Sequence, residues 1–367
     1  MFPTTMPIVT NVTQTVRAAA RSAVFFLKVL PMLPSRPVDW LTSTPVREHV
    51  TFATAFGKGS GDLYRPGRPG SHPGVIVCLG VVPFGFDHPQ IPRLGSALAR
   101  SGFAALLYRS PAMEEYRLEP EDVGNVAAAF HYLTEQAFVR KETSGIFGTC
   151  VGGAFALLAA AHQEIRDHVA FVGAFAPYAS MRDFALEVAC STRLYEEEHE
   201  PWQVDPLTRR VFVHSLTSLL HPDEAARLRS LYDGQYDSIE VYSLSHDAEA
   251  VYALLTASDP EQARRALSRL PSELLARMDA ISPAGHLHDI QAPLIILGHD
   301  RDDLVIPVGE SRALQRSLHS HVGLHYTEFG MFQHADPTKR KLRPLTLAGE
   351  LGKFYRYVYP MFKKAAS

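Results

Sequence analysis

Cysteine is scarce in this sequence: three in 367 residues, Cys78, Cys150 and Cys190, an odd number with no metal-type spacing. That excludes a disulfide framework and a thiolate metal site, and it fits a reducing compartment, so a cytoplasmic location is expected. Charge is modest and nearly balanced, with 20% charged residues, a net charge of −3 and no lysine/arginine tract. Nucleic acid is therefore not an expected partner. Long hydrophobic runs are missing as well. The run from Ala23 to Leu30 is interrupted by Lys28 and closed by Pro31 and Pro34, too short to span a bilayer. Arg17 and Arg21 precede it as in a secretory signal, but no clear small-residue cleavage site follows.

What is present is an ordinary globular composition, 46% hydrophobic, in a chain long enough for one large domain with an insertion. Residues 1–43 read as an appended amphipathic arm with a helix over 16–33. Packing on the body is the first reading of that helix; peripheral membrane contact or a homodimer contact is the alternative. From Val46 onward the pattern becomes strands and helices in alternation. Residues 48–56 and 61–66 read as outer strands, and 75–79, 103–108, 144–147 and 169–175 as buried ones, with helices over 91–101 and 120–134 between them. The alternation stops over 181–283, where helices are expected at 182–197, 206–220, 223–232, 239–256, 259–270 and 272–281, with no convincing strand. It resumes with strands at 293–298 and 324–329 and helices at 309–319 and 344–361. The expectation is an α/β, doubly wound, mostly parallel sheet built from 44–180 and 284–367, with 181–283 as an inserted helical lid.

The stretch that organises the chain is Gly148-Thr149-Cys150-Val151-Gly152-Gly153, between an apolar strand end (Ile146, Phe147) and an Ala/Leu-rich helix. A strand, a tight G-x-nucleophile-x-G turn and a helix make a nucleophile elbow. The apex is strained, so Gly148 and Gly152 supply neighbours without side chains, and Gly153 lets the helix approach the sheet. The apex sulfur faces the free N–H groups of a helix start, which favours a thiolate. Three fixed positions are a weak pattern alone, so the remaining loops must supply a base and its orienting carboxylate. The loop after 294–298 carries Asp300, Asp302 and Asp303; the loop after 324–329 carries His334.

Nucleophile, acid and base in that chain order resemble the α/β-hydrolases over nearly the whole length outside 1–43. The segment Gly298-x-x-x-Asp302-Asp303-x-x-x-Pro307 is similar to that family's acid loop, whose aspartate stands four residues before a proline. The resemblance therefore implies a Cys150, Asp303, His334 triad, with Asp302 as runner-up and Asp300 third. Within the superfamily, the cysteine box resembles dienelactone hydrolase, whose triad is Cys-Asp-His, and also polyhydroxyalkanoate synthase. Leu79-Gly80 stands where the family has His-Gly, and the large lid is not a feature of small dienelactone hydrolases. The mechanism this implies is an acyl-cysteine, with an oxyanion hole from the N–H groups of Val151 and Val81. Hydrolysis of an ester, lactone or thioester of an apolar small-molecule acyl group is the first expectation. An acyltransferase using the same intermediate, and a non-catalytic binding protein of the same fold, are the alternatives. No cofactor and no metal are expected.

Overall fold

The computed structural model describes residues 6–33, 35–195, 198–232, 243–334 and 343–367. After helices α1 (Met6–Val29) and α2 (Arg36–Leu41), strands β1 (Val46–Thr54) and β2 (Gly57–Arg65) form an antiparallel hairpin. Then follow β3 (His72–Cys78), α3 (Gln90–Arg100), β4 (Ala104–Arg109), α4 (Pro111–Glu114), α5 (Glu121–Thr134), β5 (Val139–Thr149), α6 (Val151–Ala161) and β6 (Phe171–Phe175). The chain leaves the sheet for β7 (Thr192–Tyr195), β8 (Glu198–Pro201) and, among the described residues, six α-helices, and returns with β9 (Ile295–Asp300), α13 (Val308–Ser317), β10 (Leu324–Phe329) and α14 (Pro344–Ala366). The eight strands of the main sheet lie in the order β1-β2-β4-β3-β5-β6-β9-β10. All neighbours from β4 to β10 run parallel, and only β1 and β2 are antiparallel.

The chemistry of the sequence explains this layout. Val75, Ile76 and Val77 are fully buried, as an unbroken apolar run must be in a parallel strand covered on both faces. Helix α6 is buried along nearly its whole length, so its Ala-rich sequence permits close approach to β5 and β6. Helix α5 starts with Glu121 and Asp122, which suit the positive end of its dipole. The carboxyl ends of β3, β5, β6 and β9 converge on one edge of the sheet, and that edge carries every candidate residue named above.

Strands β6 and β9 are hydrogen-bonded neighbours, yet about 120 residues separate them in the chain. Helices α7 (Met181–Cys190), α8 (Pro206–Leu216), α9 (Pro222–Tyr232), α10 (His246–Leu255), α11 (Pro260–Ser268) and α12 (Ser272–Ala280) fill that gap. Both roots of the excursion are tied together: the Met181 N–H donates to Ser282 Oγ at 2.8 Å, and the Tyr178 hydroxyl donates to the Ile281 carbonyl at 2.7 Å. Glu310 at the start of α13 accepts from the N–H groups of Ala179 (2.6 Å) and Ser180 (3.3 Å).

Two expectations need correction here. The helix expected over 182–197 stops at Cys190, because Ser191 adopts a left-handed φ of 50° and the chain turns into the antiparallel hairpin β7–β8. Residues 196–197 and 239–242, also expected to be helical, lie outside the described residues. The first helix begins at Met6 and ends at Val29, ten residues earlier than expected at its start and four at its end. Its Ala18 and Phe25, and Leu30 just after it, are buried against the body, with Phe25 and Phe362 rings 5.6 Å apart. No helix among the described residues is long and apolar enough to cross a membrane.

Because α1 supplies part of the core that covers β3 and β4, Phe25→Ala should destabilise the protein by about 3 kcal/mol or more in chemical denaturation. The exposed Val16 of the same helix, replaced by Ser, should leave stability within about 0.5 kcal/mol. Equal, negligible effects would show α1 to be detached in solution.

Candidate active site

The turn from β5 to α6 places Cys150 at φ 58°, ψ −140°, a region that non-glycine residues avoid. The turn closes because its flanks have no side chains. A Cβ on Gly148 would sit 2.1 Å from the Gly152 carbonyl oxygen, and one on Gly152 would sit 2.3 Å from that of Cys78 and 2.4 Å from the Gly80 nitrogen. At Gly153 a Cβ would lie 3.3 Å from that of Ala174, so this position is tight without being closed. The Cys150 N–H donates to the Phe175 carbonyl at 2.8 Å, fixing the apex to β6. Val81, after β3, and Val151, the first residue of α6, both line the cavity that Cys150 faces.

Asp303 and His334 come together from the loops after β9 and β10. The His334 ring donates through Nδ1 to Asp303 Oδ2 at 2.8 Å, and the Cys150 thiol is close enough to the same ring to bear on its charge. With Nδ1 committed to the carboxylate, Nε2 is the nitrogen left for sulfur. Asp303 is fully buried, and its Oδ1 accepts from the N–H groups of Val305 (2.8 Å) and Ile306 (3.1 Å). Burial alone would raise its pKa. The His334 charge and hydrogen bond, with the His299 ring beside it, overcome that and hold the carboxyl well below the usual range. For His334, burial disfavours the imidazolium, but the charges of Asp303 and Cys150 and its bond to Asp303 push its pKa well above the ordinary histidine value. Its backbone φ of 93° is also strained, as is that of Gln333 at 44°.

The other two aspartates of the acid loop lie differently. Asp300 is fully buried and accepts from the Asp302 N–H through Oδ1 (3.0 Å) and the Phe332 N–H through Oδ2 (2.6 Å). It thereby ties the acid loop to the segment that presents His334. Asp302 is exposed. The sequence reading missed His299, which is fully buried next to Asp303: its Nε2 donates to the Ile306 carbonyl (2.8 Å), and its Nδ1 lies 2.6 Å from Ser311 Oγ. A histidine directly at the end of an otherwise apolar strand was the available signal. Residues 335–337, which follow His334, lie outside the described residues. Among the described residues no group of His, Cys, Asp and Glu side chains is arranged to hold a metal ion.

Cys150 is 8% exposed and opens into a narrow cavity of about 50 Å³. Its walls are largely apolar, with Met181 and Phe184 from α7, Val211 and Phe212 from α8, and Leu274 and Met278 from α12 among them. Side chains of the segment between β6 and β9 therefore line the same cavity as the cysteine. The cavity also has a polar margin made of Thr208, Ser215, Ser218 and Arg277. The other thiols lie elsewhere. Cys78 is buried in β3, where burial and then the nearby Asp122 push its pKa up, and Cys190 on α7 is shifted upward by burial and Asp259.

No protein-family model matches the chain. A segment of 147 aligned residues, 36% of the chain, is 36% identical to a Bradyrhizobium protein named "probable 2-oxo-3-(5-oxofuran-2-ylidene)propanoate lactonase". The chain spans 58% of that relative's length. Among solved structures, 2,6-dihydroxy-pseudo-oxynicotine hydrolase superposes with a TM-score of 0.50 at 16% identity, over 88% of this chain and 71% of that one. The acylaminoacyl peptidase of Pyrococcus horikoshii gives a TM-score of 0.50 at 13% identity, over 87% of this chain and 41% of that one. Sheet order, crossover pattern and these likenesses agree: the chain has the α/β-hydrolase fold.

Proposed function

We propose that the protein hydrolyses a carboxylic ester, lactone or thioester of a small, largely apolar acyl group through an acyl-cysteine on Cys150. The observation that carries this reading is the Asp303–His334 hydrogen bond set beside Cys150 at a strained strand-to-helix apex. The lactonase name of the Bradyrhizobium relative supports the bond class, because a lactone is a cyclic ester.

His334 accepts the thiol proton through Nε2, and Asp303 holds the ring's tautomer and stabilises the imidazolium. The thiolate adds to the acyl carbonyl. The N–H groups of Val151 and Val81 meet the oxyanion, each contributing about 3 kcal/mol in a water-poor site. Collapse breaks the bond to the leaving oxygen or sulfur, which takes the proton from His334. His334 then takes a proton from water as the water attacks the acyl-cysteine; the acid departs and the thiol is restored. A thiolate is a good leaving group, so the first intermediate goes forward only when the substrate's own leaving group is comparably good. Thioesters, enol-lactones and activated esters meet that condition, and amides do not. The helices between β6 and β9 act as a cover that excludes bulk water and limits the acyl group by size.

Asp303→Asn and His334→Ala should each lower kcat/KM on an activated ester by about a thousandfold or more with the melting temperature preserved, because the three groups work as a unit. Asp302→Asn should stay within about twofold of wild type, its carboxyl having no part in the proposed relay. A silent Asp303→Asn beside a damaging Asp302→Asn would move the acid by one residue. Iodoacetamide at neutral pH should label Cys150 well before Cys78 and Cys190, read by peptide mapping. Labelling of Cys190 at the same rate would remove Cys150 as the activated thiol.

A further inference from the structure

The polar margin of the cavity has a chemistry that the hydrolytic relay does not use. Arg277 comes from α12 and lines the same cavity as Cys150. Its Nη2 is bound to Glu119 and lies 3.4 Å from Glu121 Oε2. Glu119 is also held by Arg117 at 2.5 Å. Next to Glu119, the Leu118 N–H donates to Ser215 Oγ at 3.1 Å, so Arg277 and Ser215 flank one stretch of wall. The neighbouring hydroxyls are committed as donors: Thr208 to the Val305 carbonyl at 2.8 Å, and Ser218 to the Ser215 carbonyl at 2.8 Å.

The balance of hydrogen bonds here is one-sided. The bonds of Arg277 among the described residues all use Nη2, which leaves Nε and Nη1 without a protein acceptor among those residues on a side chain that lines the cavity. Ser215 Oγ accepts from Leu118 and retains its own hydrogen. The margin therefore offers donors and needs an acceptor. Guanidinium cannot lose its proton, so this polarity does not reverse. Glu119 and Glu121 already set negative charge beside Arg277, which makes the margin suited to an uncharged oxygen and not to a further anion.

Resting on the hydrolase reading above, we propose that Arg277 determines specificity for acyl groups that carry a neutral acceptor oxygen, such as a keto, ether or hydroxyl oxygen, away from the scissile bond. The apolar walls hold the intervening carbons, and Arg277 with Ser215 binds the distal oxygen. An all-carbon chain leaves the two remaining Arg277 donors without a partner and gains nothing from them.

The test uses thioesters of equal chain length whose acyl groups end in a methyl group, a methyl ketone or a carboxylate. The ketone should exceed both others in kcat/KM by about ten- to a hundredfold, the range of one hydrogen bond to a charged group. Arg277→Met takes one of its two cations from Glu119, leaving Arg117 alone beside it, so the paired variant Arg277→Met/Glu119→Gln is used as well. In that pair the preference should vanish, the ketone's kcat/KM falling to that of the methyl-ended substrate; in Arg277→Lys part of the preference should remain. A methyl or carboxylate preference in the wild type, or a ketone preference unchanged in the paired variant, overturns the proposal. Calorimetric binding of the matching amides, which a thiolate does not cleave, separates this proposal from the catalytic one. A ketone preference in binding without thioester turnover upholds the Arg277 site and removes the hydrolase. Turnover with no preference in either readout does the reverse.

Discussion

Everything at this site hangs on how closely β5 and α6 can turn. A left-handed cysteine costs on the order of 1–3 kcal/mol and persists only where the surroundings over-determine it. Here they do so from three sides. Gly148 and Gly152 bring backbone to within the space of a missing methyl group, the Gly80 loop packs against the same point, and the Cys150 N–H is bonded to Phe175 of the next strand. The sheet beneath is buried on both faces, so the turn cannot relax without opening β3, β5 and β6 together. The outcome is one side chain projecting beyond the strand ends, with the first N–H groups of a helix behind it.

A buried charge organises the other half. Asp303 has no access to water, and an isolated carboxylate there would be prohibitively costly. Two backbone N–H groups and two imidazoles surround it. The charge in turn fixes where His334 can lie. The strained backbone at Gln333 and His334 is held by Asp300, which binds the Phe332 N–H one residue before Gln333. The two loops are thus cross-linked twice, once through a structural carboxylate and once through the carboxylate that faces the ring. This is why neighbouring aspartates in one loop have such different roles.

Much of this was legible because it is local. Leu324–Phe329 was bounded correctly, and the βαβ rhythm, the elbow and the acid loop are all patterns within a few residues. The hairpin β7–β8 escaped because the acidic sequence Glu196-Glu197-Glu198-His199-Glu200, which runs into β8, reads as a solvated face, and because Ser191, not a glycine, takes the left-handed position that ends α7. The early start of α1 escaped because Thr10, Asn11, Thr13 and Thr15 are interleaved with the apolar residues of its first turns and Pro7 stands near its start. The polar margin of the cavity had no local signal at all. Arg277 and Glu119 are 158 residues apart, and neither lies in a motif. Only the docking of α12 on the loop before α5 makes them neighbours.

The central claim is that an acyl group becomes covalently attached to Cys150. Intact-protein mass spectrometry after rapid mixing with an activated acyl ester measures this directly, followed by peptide mapping of the adduct. Comparison with Cys150→Ser and Cys150→Ala sets the background. The account predicts a transient gain of one acyl mass per chain, located on Cys150 and absent in Cys150→Ala. Turnover with no adduct on that residue, or an adduct that survives the removal of the Cys150 sulfur, would contradict it.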